Sequence, residues 1–295
     1  MLNRLLLFLL LLSTLQAQDL TGVIDLHVHS GPDSMPRSID AVDIVRMAQQ
    51  RGLRALVLKN HFEPTASLAY VAGKLNPGVQ VFGGIALNCS VGGINPTAVQ
   101  RMTQIAGGLG RIVWMPTFDS ENQVRLSGEA RPFVPIARNG VLLLEVIEVL
   151  KLIASHDLVL ATGHSSPAES LLLIREAKRL GIKRILVTHA MMPPIKMSPG
   201  EMKEAAKEGA FIEFVCNEVI GPRSVVSVAD SAAAIRAVGI EHCILSSDLG
   251  QPGNPLHLEG LEMLFTELRA AGFTVADIER MSKQNPAVLL GLEPF

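Results

Sequence analysis

The chain has 295 residues, a formal net charge of −2, 48% apolar residues and only 18% charged ones. That composition excludes a disordered tail, a collagen-like repeat and a disulfide-stapled mini-domain. With 26 Lys and Arg against 28 Asp and Glu there is no basic footprint for nucleic acid, and the length is enough to bury a large core.

Residues 1–17 differ in character from the rest of the chain. Arg4 gives a positive start, residues 5–12 are almost pure leucine, and residues 13–17 are more polar, with Ala17 at a cleavage position. This is the pattern of a secretory signal peptide, too short to span a bilayer. The expected organisation is therefore a signal segment at 1–17 and one domain at 18–295, exported to the periplasm or secreted. No later run reads as an integral membrane segment. Cys89, Cys216 and Cys243 each lie in or beside an apolar run, so buried free thiols are expected rather than a disulfide framework.

From residue 23 onward, eight short apolar runs recur, each followed by a helical pattern. They occupy residues 23–29, 55–61, 79–88, 111–118, 158–164, 184–189, 211–217 and 243–248. Near-continuous apolar runs of this length suit parallel strands covered on both faces. Between them, Ser166-Pro167-Ala168-Glu169 and Ser198-Pro199-Gly200-Glu201 each offer an N-cap, a proline in the first turn and a capping-box glutamate. Eight strand–helix units spaced mostly about thirty residues apart predict an α/β fold, a single-domain (β/α)8 TIM-type barrel. The longest interval, 119–139, predicts an extended loop after the fourth strand.

The polar residues that close these runs carry the functional signal. His27 and His29 end the first run, Lys59 and His61 the second, His164 the fifth, His189 the sixth and Asp248 the eighth. Side chains alternate along a strand with period two, so His27 and His29 share one side, as do Lys59 and His61. In a barrel, all seven converge at the C-terminal mouth, where active sites of this architecture lie. Imidazole and carboxylate are ligands for zinc and other divalent first-row ions. Five of the eight histidines at strand ends, with an aspartate closing the last, predict a metal site. His156, His242 and His257 fall outside the pattern and read as surface or loop residues. Asp25 shares the parity of His27 and His29 and either orients a ligand histidine or pairs inside the barrel; Glu213 also points inward. Arg37 after the first strand, Asn88 at the end of the third run and Arg125 in the long loop are candidates for binding substrate.

The segment Val23-Ile24-Asp25-Leu26-His27-Val28-His29 resembles the first-strand signature of the amidohydrolase superfamily. His164, His189 and Asp248 match its fifth-, sixth- and eighth-strand ligands, and Asn285-Pro286-Ala287-Val288-Leu289-Leu290-Gly291-Leu292 resembles its C-terminal helix. The resemblance spans residues 23–292. It implies a distorted barrel and metal-dependent hydrolysis, with His27, His29 and Asp248 on a first metal and His164 and His189 on a second metal or on substrate.

One departure matters. Many binuclear members carry a carboxylated lysine or a glutamate at the end of strand four, whereas this chain has Val113-Trp114-Met115-Pro116-Thr117-Phe118 there. Lys59 is open to three readings: a carbamylated metal ligand from an unusual strand, a cation for an anionic substrate, or a partner of Asp25 or Glu213. His61 is similar in placement to the strand-two histidine ligand of the polymerase and histidinol phosphatase family of phosphoesterases. The leading expectation is a metal-dependent hydrolase of a small-molecule amide, ester or lactone. It would use one or two divalent ions, Zn2+ first among them, with water as nucleophile and Asp248 as general acid and base. A metal-dependent decarboxylase of an unsaturated carboxylic acid, a phosphoesterase and a metal-retaining binding protein are the alternatives, and homo-oligomerisation is left open.

Overall fold

The apolar runs form strands in the expected order. In the computed structural model these are β1 (Ile24–Val28), β2 (Ala55–Leu58), β3 (Gln80–Ala86), β4 (Gly110–Trp114), β5 (Ala137–Arg138), β6 (Val141–Leu142), β7 (Val159–Ala161), β8 (Ile185–Val187), β9 (Phe211–Val215) and β10 (Cys243–Ser246). Residues 19–222 and 224–293 are described; the signal segment expected at 1–17 lies outside them. Eight strands pair in parallel in the order β1-β2-β3-β4-β7-β8-β9-β10. The seam between β10 and β1 is joined where Asp248 N–H donates to His27 O (2.9 Å) and His29 N–H to Leu249 O (3.0 Å). The fold is a (β/α)8 barrel.

Alternation sorts the strand residues into two layers. Outward residues such as Leu56, Leu58, Val113, Leu160, Val187, Ile212 and Leu245 pack under the surrounding helices. Inward residues such as Ile24, Leu26, Val57, Ile112, Trp114, Ala161 and Ile244 fill the lumen. The floor of the lumen is closed by Ala287, Leu289 and Leu290 of the C-terminal helix Asn285–Leu290. Burial of this apolar surface is the main stabilising term. The helices begin where the sequence marks them: Ser166 and Ser198 each accept the N–H three residues on, and Glu169 and Glu201 reach back to complete the capping boxes.

Register shifts between β3 and β4, where Gly83 pairs with Gly110 but Gly84 with Ile112, and again in β1 beside the site. β1 pairs Asp25 with Leu56 but Val28 with Leu58, so β1 carries one extra residue between these points. Asp25 is thereby in register with outward-facing Leu56, while Ile24 and Leu26 line the lumen. The expectation that Asp25 shares the side of His27 and His29 is corrected by this bulge, which re-aims the strand just before the site.

Three further expectations are corrected. The interval after the fourth barrel strand is not an open loop: it holds a helix, Glu121–Ser127, and the β5–β6 antiparallel pair. Cys216 and Cys243 are buried free thiols, but Cys89 is exposed. His257 is fully buried at the start of a helix, and its Nε2–H donates to His29 O (2.9 Å), so it is no surface residue.

Candidate metal centre at the barrel mouth

His27 and His29 lie in and just after β1, and Asp248 two residues beyond β10. One ligand atom from each of the three lies within 4.8 Å of the others, and all three residues are buried. The imidazole protons are placed by neighbours. His29 Nδ1 is 2.8 Å from Lys59 O, a carbonyl that only accepts, so Nδ1 carries the proton and Nε2 a lone pair. His27 Nδ1 lies 3.3 Å from both oxygens of Glu213, which orient that ring in the same sense. Such a carboxylate behind a histidine fixes its tautomer and raises its basicity. The two Nε2 atoms then face Asp248 Oδ1, at 3.1 Å from His27 and 3.0 Å from His29.

This donor set fits a divalent cation. Two imidazole lone pairs and a carboxylate oxygen converge on one point, and burial pushes both imidazoles down to about 3, against their acting as cationic partners of Asp248. Donor sets of two imidazole nitrogens and a carboxylate oxygen suit zinc and its neighbours. Asp248 is held from its other oxygen by Asn217 Nδ2 (3.3 Å), and Asn217 in turn accepts from Asn254 Nδ2 (2.9 Å). The backbone is strained at this turn: Asp248 has φ 49°, in a region that costs a non-glycine residue about 1–3 kcal/mol. Gly250 follows with φ +118°, where any Cβ would stand on the carbonyl oxygen of His29. Gly163, before His164, is likewise wedged against the carbonyls of Met115 and Pro116.

A second histidine pair sits beside the first group. His164 Nε2 and His189 Nε2 are 3.1 Å apart. His164 Nδ1 is bonded to Gln123 Oε1, which comes from the helix after the fourth barrel strand. His189 stacks against His27, with ring centroids 5.8 Å apart, and its Nδ1 is buried without a partner among the described residues. Glu213 Oε2 accepts the His189 N–H (3.0 Å), so one carboxylate positions residues of both groups.

Lys59 lies just beyond β2 and is 1% exposed. Its Nζ is 2.9 Å from His27 Nε2 and 5.5 Å from the centre of the Trp114 ring. It forms no ion pair with Asp25 or Glu213, and burial lowers its pKa to about 8. Asp25 instead accepts the backbone N–H groups of Ser247 (2.9 Å) and His27 (3.2 Å). His61 stacks on His29 at 4.8 Å between ring centroids and lies 6.1 Å from His164. It is not one of the three converging ligands.

The remaining candidates fall into different surroundings. Arg37 is 3% exposed in its side chain, and Asp33 Oδ2 accepts from its Nε (2.7 Å), which holds the guanidinium in the loop after β1. Asn88 is fully buried and spends its amide on backbone groups and Thr117. Arg125 is an exposed partner of Glu121. Asp119 and Glu121 do not replace the missing strand-four ligand: Asp119 pairs with Arg131 (2.6 Å), and Glu121 with Arg125 and Arg138 (each 2.6 Å). The carboxylate behind His27 is legible in the sequence only as an inward glutamate; its service to two site residues depends on β9 lying two strands from β1 in the closed barrel, with β10 between them.

Fold and site together define a (β/α)8 barrel with a His-His-Asp group suited to a divalent metal at its mouth. The chain belongs to a family of unknown function (DUF6282), the match covering residues 22–213. That span includes every site histidine but stops short of Asp248. No curated protein matches the sequence.

Among solved structures, the chain is similar to an amidohydrolase from Pseudomonas aeruginosa, with 15% identity and a TM-score of 0.64 over 92% of this chain and 95% of that one. It is also similar to the phosphotriesterase homology protein from Escherichia coli, complexed with phosphate in its active site: 16% identity, TM-score 0.63, covering 92% and 100%. An amidohydrolase from Burkholderia multivorans with bound zinc matches at 13% identity and TM-score 0.61, covering 92% and 99%. At these identities the likeness establishes the barrel.

Proposed function

We propose that the chain is an exported, metal-dependent hydrolase of a small-molecule amide, ester or lactone, with Zn2+ as the ion. The observation that carries this reading is the convergence of His27 Nε2, His29 Nε2 and Asp248 Oδ1, with both imidazole protons directed away from the meeting point. A bound divalent ion supplies Lewis acidity and makes water nucleophilic near neutral pH. The chain's residues supply the rest. Asp248 takes the proton from the attacking water and returns it to the leaving group. Asn217 holds its second oxygen in place for that transfer. Glu213 keeps His27 in its ligating tautomer. His164 and His189 face each other close enough to share a second ion or to contact substrate. Lys59, if carbamylated, would be a further ligand; protonated, it would be a cation beside His27 for a negatively charged substrate.

A second reading, metal-dependent decarboxylation of an unsaturated carboxylic acid, is favoured by one specific feature. Past β4 the chain offers Thr117, engaged with His61 and Asn88, where a bridging ligand would otherwise stand. One metal then suffices. Export rests on the leucine run and the polar stretch around Ala17.

The test is metal analysis of the purified protein combined with an activity screen over lactones, amides, phosphoesters and carboxylic acids. Hydrolysis with about one or two Zn2+ per chain is expected. Carbon dioxide as product favours decarboxylation, released phosphate favours phosphoester cleavage, and retained metal with no turnover favours a binding protein.

A further inference from the structure

We propose that His61 is a hydrogen-bond donor to substrate rather than a metal ligand, presenting Nε2–H at the mouth between His29 and His164. The proposal deepens the hydrolase reading and rests on it for the identity of the acceptor: a carbonyl or phosphoryl oxygen on which negative charge develops.

Asn88 determines which ring nitrogen of His61 carries the proton. The Asn88 Oδ1 accepts two backbone N–H groups, from Thr117 (2.9 Å) and Asp119 (3.1 Å), so the orientation of the amide is fixed. Its Nδ2 must then donate, to His61 O (2.6 Å) and to Thr117 Oγ1 (2.7 Å). The Thr117 hydroxyl therefore accepts from Asn88, and its own proton needs an acceptor. The one within reach is His61 Nδ1, at 2.9 Å. With Nδ1 accepting, the ring proton of His61 lies on Nε2. The opposite tautomer would leave the fully buried Thr117 O–H without an acceptor, an arrangement that buried hydroxyls avoid.

His29 has the opposite tautomer. The two rings stack at 4.8 Å, yet His29 Nδ1 faces a carbonyl and His61 Nδ1 faces a hydroxyl that must donate. One imidazole therefore offers a lone pair at Nε2 and its neighbour offers a proton. His61 Nε2 has no hydrogen-bond partner among the described residues, and the ring is fixed by Phe118, 4.1 Å away between centroids. A fixed donor beside a metal-binding trio is placed to stabilise an oxyanion, which is where preorganised donors contribute most. Asn88 and Thr117 are positioning residues.

The experiment uses the full chain with ¹⁵N-labelled histidine, followed by long-range ¹H–¹⁵N correlation before and after Zn2+ loading, with His61→Asn identifying the His61 signals. The expected result is His61 protonated at Nε2 in both states, while the Nε2 signals of His27 and His29 move on loading. Thr117→Val should shift protonation toward Nδ1, and Thr117→Ser should restore it. His61→Asn should bind Zn2+ with unchanged stoichiometry, whereas His27→Asn should lose it. Binding of inorganic phosphate to the Zn2+-loaded protein should weaken about tenfold in His61→Asn, the worth of one hydrogen bond to a charged group. An unprotonated His61 Nε2, a Zn2+-induced shift there like that of His29, or loss of Zn2+ in His61→Asn overturns the assignment. Unchanged phosphate affinity in His61→Asn overturns the substrate role. None of these readouts requires turnover, so failure of the hydrolase reading would be seen separately, as an inactive screen.

Discussion

Glu213 stands behind His27, with both carboxylate oxygens 3.3 Å from Nδ1, on the side of the ring away from Asp248. The same carboxylate accepts the His189 N–H, so one buried acid on β9 holds members of both histidine groups. Replacing Glu213 with Gln keeps its shape but turns one oxygen into a donor facing Nδ1–H. Zn2+ affinity should fall about 10–100-fold, the usual cost of losing such a partner. Competition with a chelator measures it, and unchanged affinity would mean that Glu213 does not orient His27.

Asp248→Asn preserves the size of the residue and one ligating oxygen but removes the base. Turnover should fall roughly 10²–10⁴-fold, while metal content falls less than in His27→Ala. Steady-state kinetics with metal analysis separates the two effects; near-normal turnover would exclude Asp248 as the proton carrier.

Gly250→Ala tests the seam between β10 and β1. A methyl group there meets the His29 carbonyl, which is backbone and has nowhere to go, at φ +118°. The fold should lose at least ~1–3 kcal/mol, read as a lower Tm, and Zn2+ binding should weaken because His29 moves. A variant with wild-type Tm and metal affinity would contradict the close approach.

Acid stability should depend in part on Asp157. Arg184 grips both its oxygens (2.9 and 2.8 Å) and also donates to Val288 O and Leu289 O, tying the lumen floor to the β8 side of the barrel. Hydrogen bonding to Arg184 holds the Asp157 carboxyl below its ordinary range. A depressed acid contributes stability above the unfolded-state value of about 3.9 and loses it as pH falls through the folded one. Asp157→Asn should therefore lower Tm slightly at neutral pH and converge with the parent at the acid end. A constant difference across the pH range would rule this pair out as the cause.

N-terminal sequencing of the exported protein should begin near Gln18. A mature protein that keeps Met1 in the cytoplasm would remove export from the proposal.

Much of this arrangement was legible because burial and polarity conflict locally. A histidine or aspartate at the end of an apolar run is out of place unless something holds it, and His27, His29, His164, His189 and Asp248 all stand where that conflict pointed. The parity of Lys59 with His61 also brought both to the mouth. What stayed hidden depends on contacts between distant segments. His257 reads as a loop residue until its helix is seen packed on the His29 carbonyl. The tautomer of His61 is set by Asn88 and Thr117, which lie beyond other strands. The helix Glu121–Ser127 is short, capped by Ser120, and obscured by the polar residues around it. The phase of Asp25 is hidden because a bulge leaves no mark in a run where every residue is buried.

That extra residue in β1 uncouples depth from direction. An unbroken strand presenting His27 and His29 to the lumen would also place Asp25 one step below them, a carboxylate facing their imidazoles. Instead the lumen steps directly from Leu26 to His27, from hydrocarbon to ligand between adjacent residues. Asp25 is spent at the seam on the N–H groups of His27 and Ser247. Along this strand a cation at the mouth would have an oily base beneath it; the inward carboxylate of the site comes instead from Glu213 on β9, which is already engaged by His27 and the His189 N–H.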